Sequence, residues 1–341
     1  LKMRTLSLSI GLILTSFFSA VPSYAFFDDY LPLSAAETQK RVPIKHLGTL
    51  EPSKLISPLQ LGNYQVQLST RSEEELVLSG TTTSQGKWSV VLDSPSAIFP
   101  TEVYQADLDS NGQQDLILLK PTGANGLAPS QHLSVLTFDT TGQVSLWQVE
   151  GYFASDKKGI VDFLDLNNNG RAELVFMAYG DGYWQTALYE AKEGKWTQVH
   201  GKFAGKTYPL LTRFTFKPNH NIAHPSKPIT LEPVSLATDQ ALLSGYLKSY
   251  QWADINQSED ISLLIQTDKG LVKCQPSSWY SLFRLVLDKP KAREIVSLAA
   301  PSKTIQAVLQ EAITKKYPLK VFGQRSIEGC SPEELWFDAQ K

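Results

Sequence analysis

The chain has 341 residues, enough for two domains, and 32 basic against 34 acidic side chains give it a formal charge of −2. That balance argues against nucleic acid as a partner, because a phosphate backbone selects clustered positive charge. Only two cysteines are present, Cys274 and Cys330, so no spare thiol is left to act as a nucleophile beside a histidine.

Residues 1–25 read as a secretory signal peptide, with Lys2 and Arg4 at the positive end, Leu6 to Val21 as the apolar stretch and Ser23-Tyr24-Ala25 as the cleavage site. The expected product starts at Phe26, carries 30 basic against 34 acidic residues, and has no further run long enough for a membrane span. It is expected to be periplasmic or secreted, where an oxidising compartment would join Cys274 to Cys330. Residues 26–58 hold several prolines and no sustained period, which predicts an extended arm or linker.

From 59 to 225 the pattern is mainly β, with short apolar runs separated by Gly, Asn, Asp and Ser clusters. Asp107-Leu-Asp109-Ser-Asn111-Gly112-Gln113-Gln-Asp115 puts oxygen-bearing side chains at alternate positions and a carboxylate four residues on. Calcium, a hard ion, takes several oxygens at once, and Gly112 lets the loop curl around it. The pattern returns at Asp165-Leu-Asn167-Asn-Asn169-Gly170-Arg171-Ala-Glu173. The plainer reading is that these Asp and Asn side chains only brace turns.

A second marker repeats with it. Gln85-Gly86-Lys-Trp88, Thr141-Gly142-Gln-Val144 and Glu193-Gly194-Lys-Trp196 read as hairpin turns entering strands, with tryptophans packing between neighbouring sheets. These glycines lie 56 and 52 residues apart, and Asp107 and Asp165 lie 58 apart. One period for both markers predicts a repeat of about four strands, as in a β-propeller blade, in a ring that is small or incomplete. Worn copies are expected at Ser69–Leu78 and Asp254–Ile261, and Leu210–Phe216 reads as a further strand.

Residues 230–341 predict a disulfide-stapled α+β domain, a small barrel close to an OB-fold. Strands are expected at 245–252, 261–265, 270–274 and 319–322. A helix capped by Asp288 with Pro290 in its first turn is expected to reach Ala299. A second, capped by Ser302, carries Ile305, Val308, Leu309, Ala312 and Ile313 on one face.

The two loops resemble those of the FG-GAP or VCBS repeats of exported bacterial proteins and integrin-like β-propellers, whose signature runs D-x-D-x-[DN]-G-x-x-D before an apolar strand. The resemblance covers about residues 60–200. It implies structural Ca2+ held by Asp107, Asp109, Asn111, the Gln113 carbonyl and Asp115. In the second loop the matching set is Asp165, Asn167, Asn169, the Arg171 carbonyl and Glu173, where Asn167 and Glu173 depart from the usual Asp. It implies a non-enzymatic binding or scaffolding role at the cell envelope or outside the cell, with an unidentified protein or carbohydrate ligand. The alternatives are a secreted hydrolase acting on carbohydrate or envelope polymer, and a virulence-associated partner-binding protein. His220 and His224 sit among prolines and read as loop residues, and Gly180-Asp-Gly-Tyr183-Trp184 is a candidate ligand surface or a plain turn.

Overall fold

The computed structural model describes residues 33, 35–83, 86–95, 100–122, 130–153, 155–156, 159–180, 183–216, 223–230, 240–252, 261–276, 283–326 and 329–340. A short helix α1 (Ala35–Thr38) is followed by β1 (Lys45–Leu50). Three four-stranded antiparallel meanders come next. The first is β2 (Leu59–Leu61), β3 (Tyr64–Ser72), β4 (Glu75–Thr82) and β5 (Gly86–Asp93); the second is β6 (Thr101–Ala106), β7 (Asp115–Pro121), β8 (Gln131–Phe138) and β9 (Val144–Gly151). A ribbon of β10 (Ser155–Asp156) and β11 (Gly159–Ile160) leads to the third: β12 (Phe163–Leu164), β13 (Glu173–Gly180), β14 (Tyr183–Lys192) and β15 (Lys195–Gln198).

The repeated glycines make the last hairpin of each meander. Gly86, Gly142 and Gly194 have φ of 76°, 81° and 73°, a region that side chains other than glycine enter at a cost. Neighbouring chain crowds the first two of these turns, and a Cβ on Gly86 would come 2.6 Å from the Lys291 carbonyl oxygen. A Cβ on Gly142 would meet Tyr64 and Thr82 of the first meander, and one on Gly194 would meet Asp139 of the second.

Period-two alternation then decides which sheet faces which. On β7, Leu116 and Leu118 join Leu78, Trp88 and Phe138 against the first meander, while Ile117 and Leu119 join Trp147, Phe163 and Tyr189 against the third. The second meander is buried on both faces, which is why β7 reads as a continuous apolar run from Leu116 to Leu119. Trp88 meets Phe138 edge-on at 5.7 Å, and Trp147 stacks on Trp196 at 4.9 Å, so the tryptophans following the turns fill the gaps between sheets.

The segment expected to be an arm is partly built in. β1 pairs antiparallel with β6, and the chain before it bonds to the third meander through Val42 N–H to the Phe163 carbonyl and Asp165 N–H to the Lys40 carbonyl. Lys45–Leu50 has no apolar period of its own; the open edge of β6 selects it, helped by Glu102, which accepts from Thr49 Oγ1 at 3.0 Å. The worn repeat expected at Ser69–Leu78 is corrected too. Glu73 and Glu74 only turn β3 into β4, and the first meander's counterpart of the two loops is the tight turn at Gly62 and Asn63.

After the third meander come a ribbon of β16 (Gly201–Phe203) and β17 (Lys206–Tyr208), then β18 (Leu210–Phe216), paired to β14, and the edge strand β19 (Ala223–Thr230). Pro225 and Pro228 are accommodated there because an outer edge needs no ladder donor.

The C-terminal region comprises β20 (Leu243–Trp252), β21 (Ile261–Thr267), β22 (Gly270–Cys274), β23 (Arg284–Lys289), β24 (Ala292–Ser297), α2 (Ser302–Lys315), β25 (Pro318–Ser326) and β26 (Gly329–Asp338). Strands β20, β21, β22, β26 and β25 pair in that order and β25 returns to β20, closing a five-stranded barrel. Helix α2 sends Ile305, Val308, Leu309 and Ala312 into its core.

Two expectations fail in this region. Residues 284–297 are a hairpin and not a helix: β23 runs parallel to β26, β24 runs parallel to β5, and Pro290 with Lys291, at φ 56°, makes the turn. Those partners offer ladder bonds to β-rich Leu285-Val-Leu and Ile295-Val, which outweigh a local helical pattern. Ser302 is no cap either, because Pro301 holds the cap position without a side-chain bond. The disulfide Cys274–Cys330 is formed, across the single register pair that joins β22 to β26. No helix among the described residues is long and apolar enough to cross a membrane.

Candidate functional site: the paired acidic loops

The first loop joins β6 to β7 and is built by its own side chains. Asp107 accepts the N–H of Asn111 on Oδ1 and of Gly112 on Oδ2, both at 3.0 Å, and Asn111 Oδ1 accepts the Gln113 N–H at 2.7 Å. Ser110 and Gly112 take φ of 56° and 84° to let the chain fold back. Nothing lies within 4 Å of a Cβ built on Gly112, so glycine is needed there for its backbone conformation and not for space. Asp115 opens β7, is fully buried, and takes the Leu108 N–H on Oδ2 at 3.0 Å.

The second loop, between β12 and β13, repeats this frame bond for bond. Asp165 accepts from Asn169 and Gly170, both at 2.9 Å, Asn169 Oδ1 accepts from Arg171 N–H at 2.8 Å, and Glu173 Oε2 accepts from Leu166 N–H at 2.7 Å. Asn168 and Gly170 have φ of 59° and 83°. The expected residues therefore converge in both loops, and Gln113 and Arg171 enter these frames through their backbone. In each loop one oxygen of the last carboxylate, Oδ1 of Asp115 and Oε1 of Glu173, is buried with no partner among the described residues.

Burial pushes the Asp115 carboxyl well above the usual range, and the charges of Asp109 and Asp107 add to the shift. Burial also raises Asp109, and it carries Glu173 up to about 7 with Asp165 and Glu190 contributing. Carboxylates so placed carry a charge cost that a cation would relieve. No family model, curated protein or solved structure matches the chain.

The donor set, all oxygen and holding an unpartnered carboxylate oxygen, suits a hard divalent ion. Among the described residues no three His, Cys, Asp or Glu side chains form a ready metal cage. Calcium loops complete their shell with amide and backbone carbonyl oxygens as well as carboxylates.

The two loops also touch. Ser110 Oγ donates to the Gly170 carbonyl, and Ala172 N–H donates to the Leu108 carbonyl at 2.6 Å. Asp109 reaches furthest: its Oδ2 accepts the N–H of Gly194, 85 residues on in the last hairpin of the third meander, at 2.7 Å. Asn111 Nδ2 donates to the Phe138 carbonyl at 2.9 Å, and Thr137 Oγ1 to the Gly194 carbonyl at 2.8 Å. This explains the Asp-to-Asn difference between the loops. Asp109 is buried against the next meander, whereas Asn167 is exposed and no hairpin among the described residues donates to it.

In chelator, Asp109→Ala is expected to lose about 1–3 kcal/mol of stability by orphaning the Gly194 N–H, and Asn167→Ala less than about 0.5 kcal/mol. Urea unfolding measures both, and equal losses would contradict the inter-sheet role. Sequence spacing could not find Gly194, because the bond links separate meanders.

His220, Asp181, Gly182 and the expected repeat at 254–260 lie outside the described residues. His224 lies on β19 opposite Thr215, and Tyr183 and Trp184 open β14 opposite Gly180 and Tyr179.

Proposed function

We propose that the three meanders are blades of FG-GAP/VCBS type, braced by calcium at the first loop and less firmly at the second, in an exported protein with a binding or scaffolding role. The observation that carries this reading is the equivalent buried, unpartnered carboxylate oxygen in two loops of identical hydrogen-bond frame. Asp107, Asp109, Asn111 and Asp115 would hold the ion, whose charge would offset the burial of Asp115. Asp165, Asn169 and Glu173 are the counterparts, with Asn167 lowering the charge of that set. The strand order of the barrel, first-second-third-fifth-fourth and back to the first, supports an OB-like reading of the C-terminal unit. Export is supported by the N-terminal apolar stretch and by the disulfide.

Adding calcium to chelated protein is expected to raise its melting temperature by several degrees, since an ion at about 100 times its Kd stabilises by about 2.7 kcal/mol. Asp107→Ala should abolish most of that rise. Identical melts with chelator and with calcium would remove the ion from the account.

A further inference from the structure

A cleft of about 220 Å³ lies where the outer strands β9 and β15 face β23, β24 and β26. It is walled by Trp147, Trp196, Phe322 and Trp336, and crossed by Arg293 and Glu333. The rings are held rigidly. Trp147 stacks on Trp196 at an interplanar angle of 16°, and the Arg293 guanidinium lies 4.5 Å over the ring of Trp336.

Packed seams pair their buried polar groups, and this one does not. Arg293 is 8% exposed; its Nη2 reaches Asp288 at 3.5 Å and the Gln143 amide, with its oxygen turned inward, at 3.1 Å. Its Nε–H has no partner, and neither does the buried Nε1–H of Trp196. Both side chains line the cleft, and neither donor finds an acceptor among the described residues. Glu333 answers as an acceptor on the same cleft; burial raises its carboxyl, and its one bond, from Gln324, is long at 3.4 Å.

Charge narrows the class of ligand. Three basic side chains, Lys195, Arg284 and Arg293, face four acidic ones, Asp139, Glu193, Glu333 and Glu334, and Arg284 is bound to Glu334 at 2.8 Å. An anion would meet the surplus carboxylates and a cation the arginines. A neutral molecule with many hydroxyls can serve both the orphan donors and the carboxylate, and its C–H faces suit aromatic walls. The volume falls below the roughly 300–1,000 Å³ usual for drug-sized ligands, which leaves room for one or two sugar rings.

From this we infer that the cleft between β9, β15 and the β23–β24–β26 sheet is a binding site for one end of a neutral saccharide, oriented by Trp196, Arg293 and Glu333. This deepens the binding role proposed above and rests on it. The test is a tryptophan-fluorescence titration of the full calcium-loaded chain with cellotetraose, maltotetraose and N-acetylated chitotetraose, with tri-galacturonate as the charged control. At least one neutral probe should give a saturable change below about 10 mM, and the control a weaker one.

Trp196→Phe, which keeps a ring and loses the N–H, and Glu333→Gln should each weaken binding tenfold or more, in variants whose melting temperatures show them folded. Absence of a saturable change with all three neutral probes, tighter binding of tri-galacturonate, or either variant at wild-type affinity would overturn the assignment. A calcium-dependent melt retained without saccharide binding sinks the cleft alone. Saccharide binding without any calcium effect on the melt sinks the metal-braced reading alone.

Discussion

Replacing Cys274 and Cys330 together by serine is expected to lower the unfolding free energy by about 4 kcal/mol, the chain-entropy value for a loop of this length. The bridge spans 56 positions and encloses the β23–β24 hairpin and α2. Its effect is large here because it closes the weakest seam of the barrel. Strands β22 and β26 share one register pair, the two cysteines themselves, and next to it Gln275 N–H donates to the Cys330 carbonyl at 2.8 Å. Without the bridge, few ladder bonds remain to hold β26 beside β22. Urea unfolding of the oxidised protein, the reduced protein and the double variant measures this: the last two should coincide, well below the first. Coincidence of all three would mean that the seam is held by something else.

Phe138→Ala is expected to cost about 3–5 kcal/mol, the range for removing a fully buried aromatic ring. Phe138 is completely inaccessible, stacks on Tyr64 at 4.7 Å and meets Trp88 edge-on, so it fills the gap between the first and second meanders. The less deeply buried Phe322 should cost distinctly less as alanine. Because the Phe138 carbonyl also takes the Asn111 amide, loosening of β8 should reach the first acidic loop. Phe138→Ala should therefore lessen the calcium-dependent rise in melting temperature, whereas Phe322→Ala should leave it unchanged. Equal losses of stability in the two variants would contradict the described packing.

The hairpin turns and acidic loops of the meanders were legible in the sequence because they are written in residues that geometry restricts. Gly86, Gly142 and Gly194 mark left-handed turns, and Asp107 and Asp165 mark loops that must bond their own backbone, so both survive as spacing. Pairings between distant segments leave no such trace. Nothing local to Ile295-Val reveals β5 as a parallel partner, and the same stretch satisfied a helical pattern equally well. Strand β26 was hidden by Pro332, which the ladder admits because it sits at the irregularity opposite Gly323. At the site, the ligand-type residues of each loop could be named from one strand, but the partner of Asp109 could not. The cleft was illegible for the same reason, since Trp196, Arg293 and Glu333 meet only once the sheets are stacked.

The parallel pairing of β24 with β5 sets an order on synthesis. Lys87 to Val91 are among the first folded residues to leave the ribosome, yet their neighbours, Ala292 to Val296, emerge only after both later meanders and half the barrel. Throughout translation the earliest sheet carries a bare edge of unpaired N–H and C=O groups beside Trp88 and Val90, the kind of edge that pairs readily with other nascent chains. The sheet made first is thus completed only late in synthesis, just before the barrel closes, and a chaperone that shields this edge would raise the yield of soluble product more than one that acts after release.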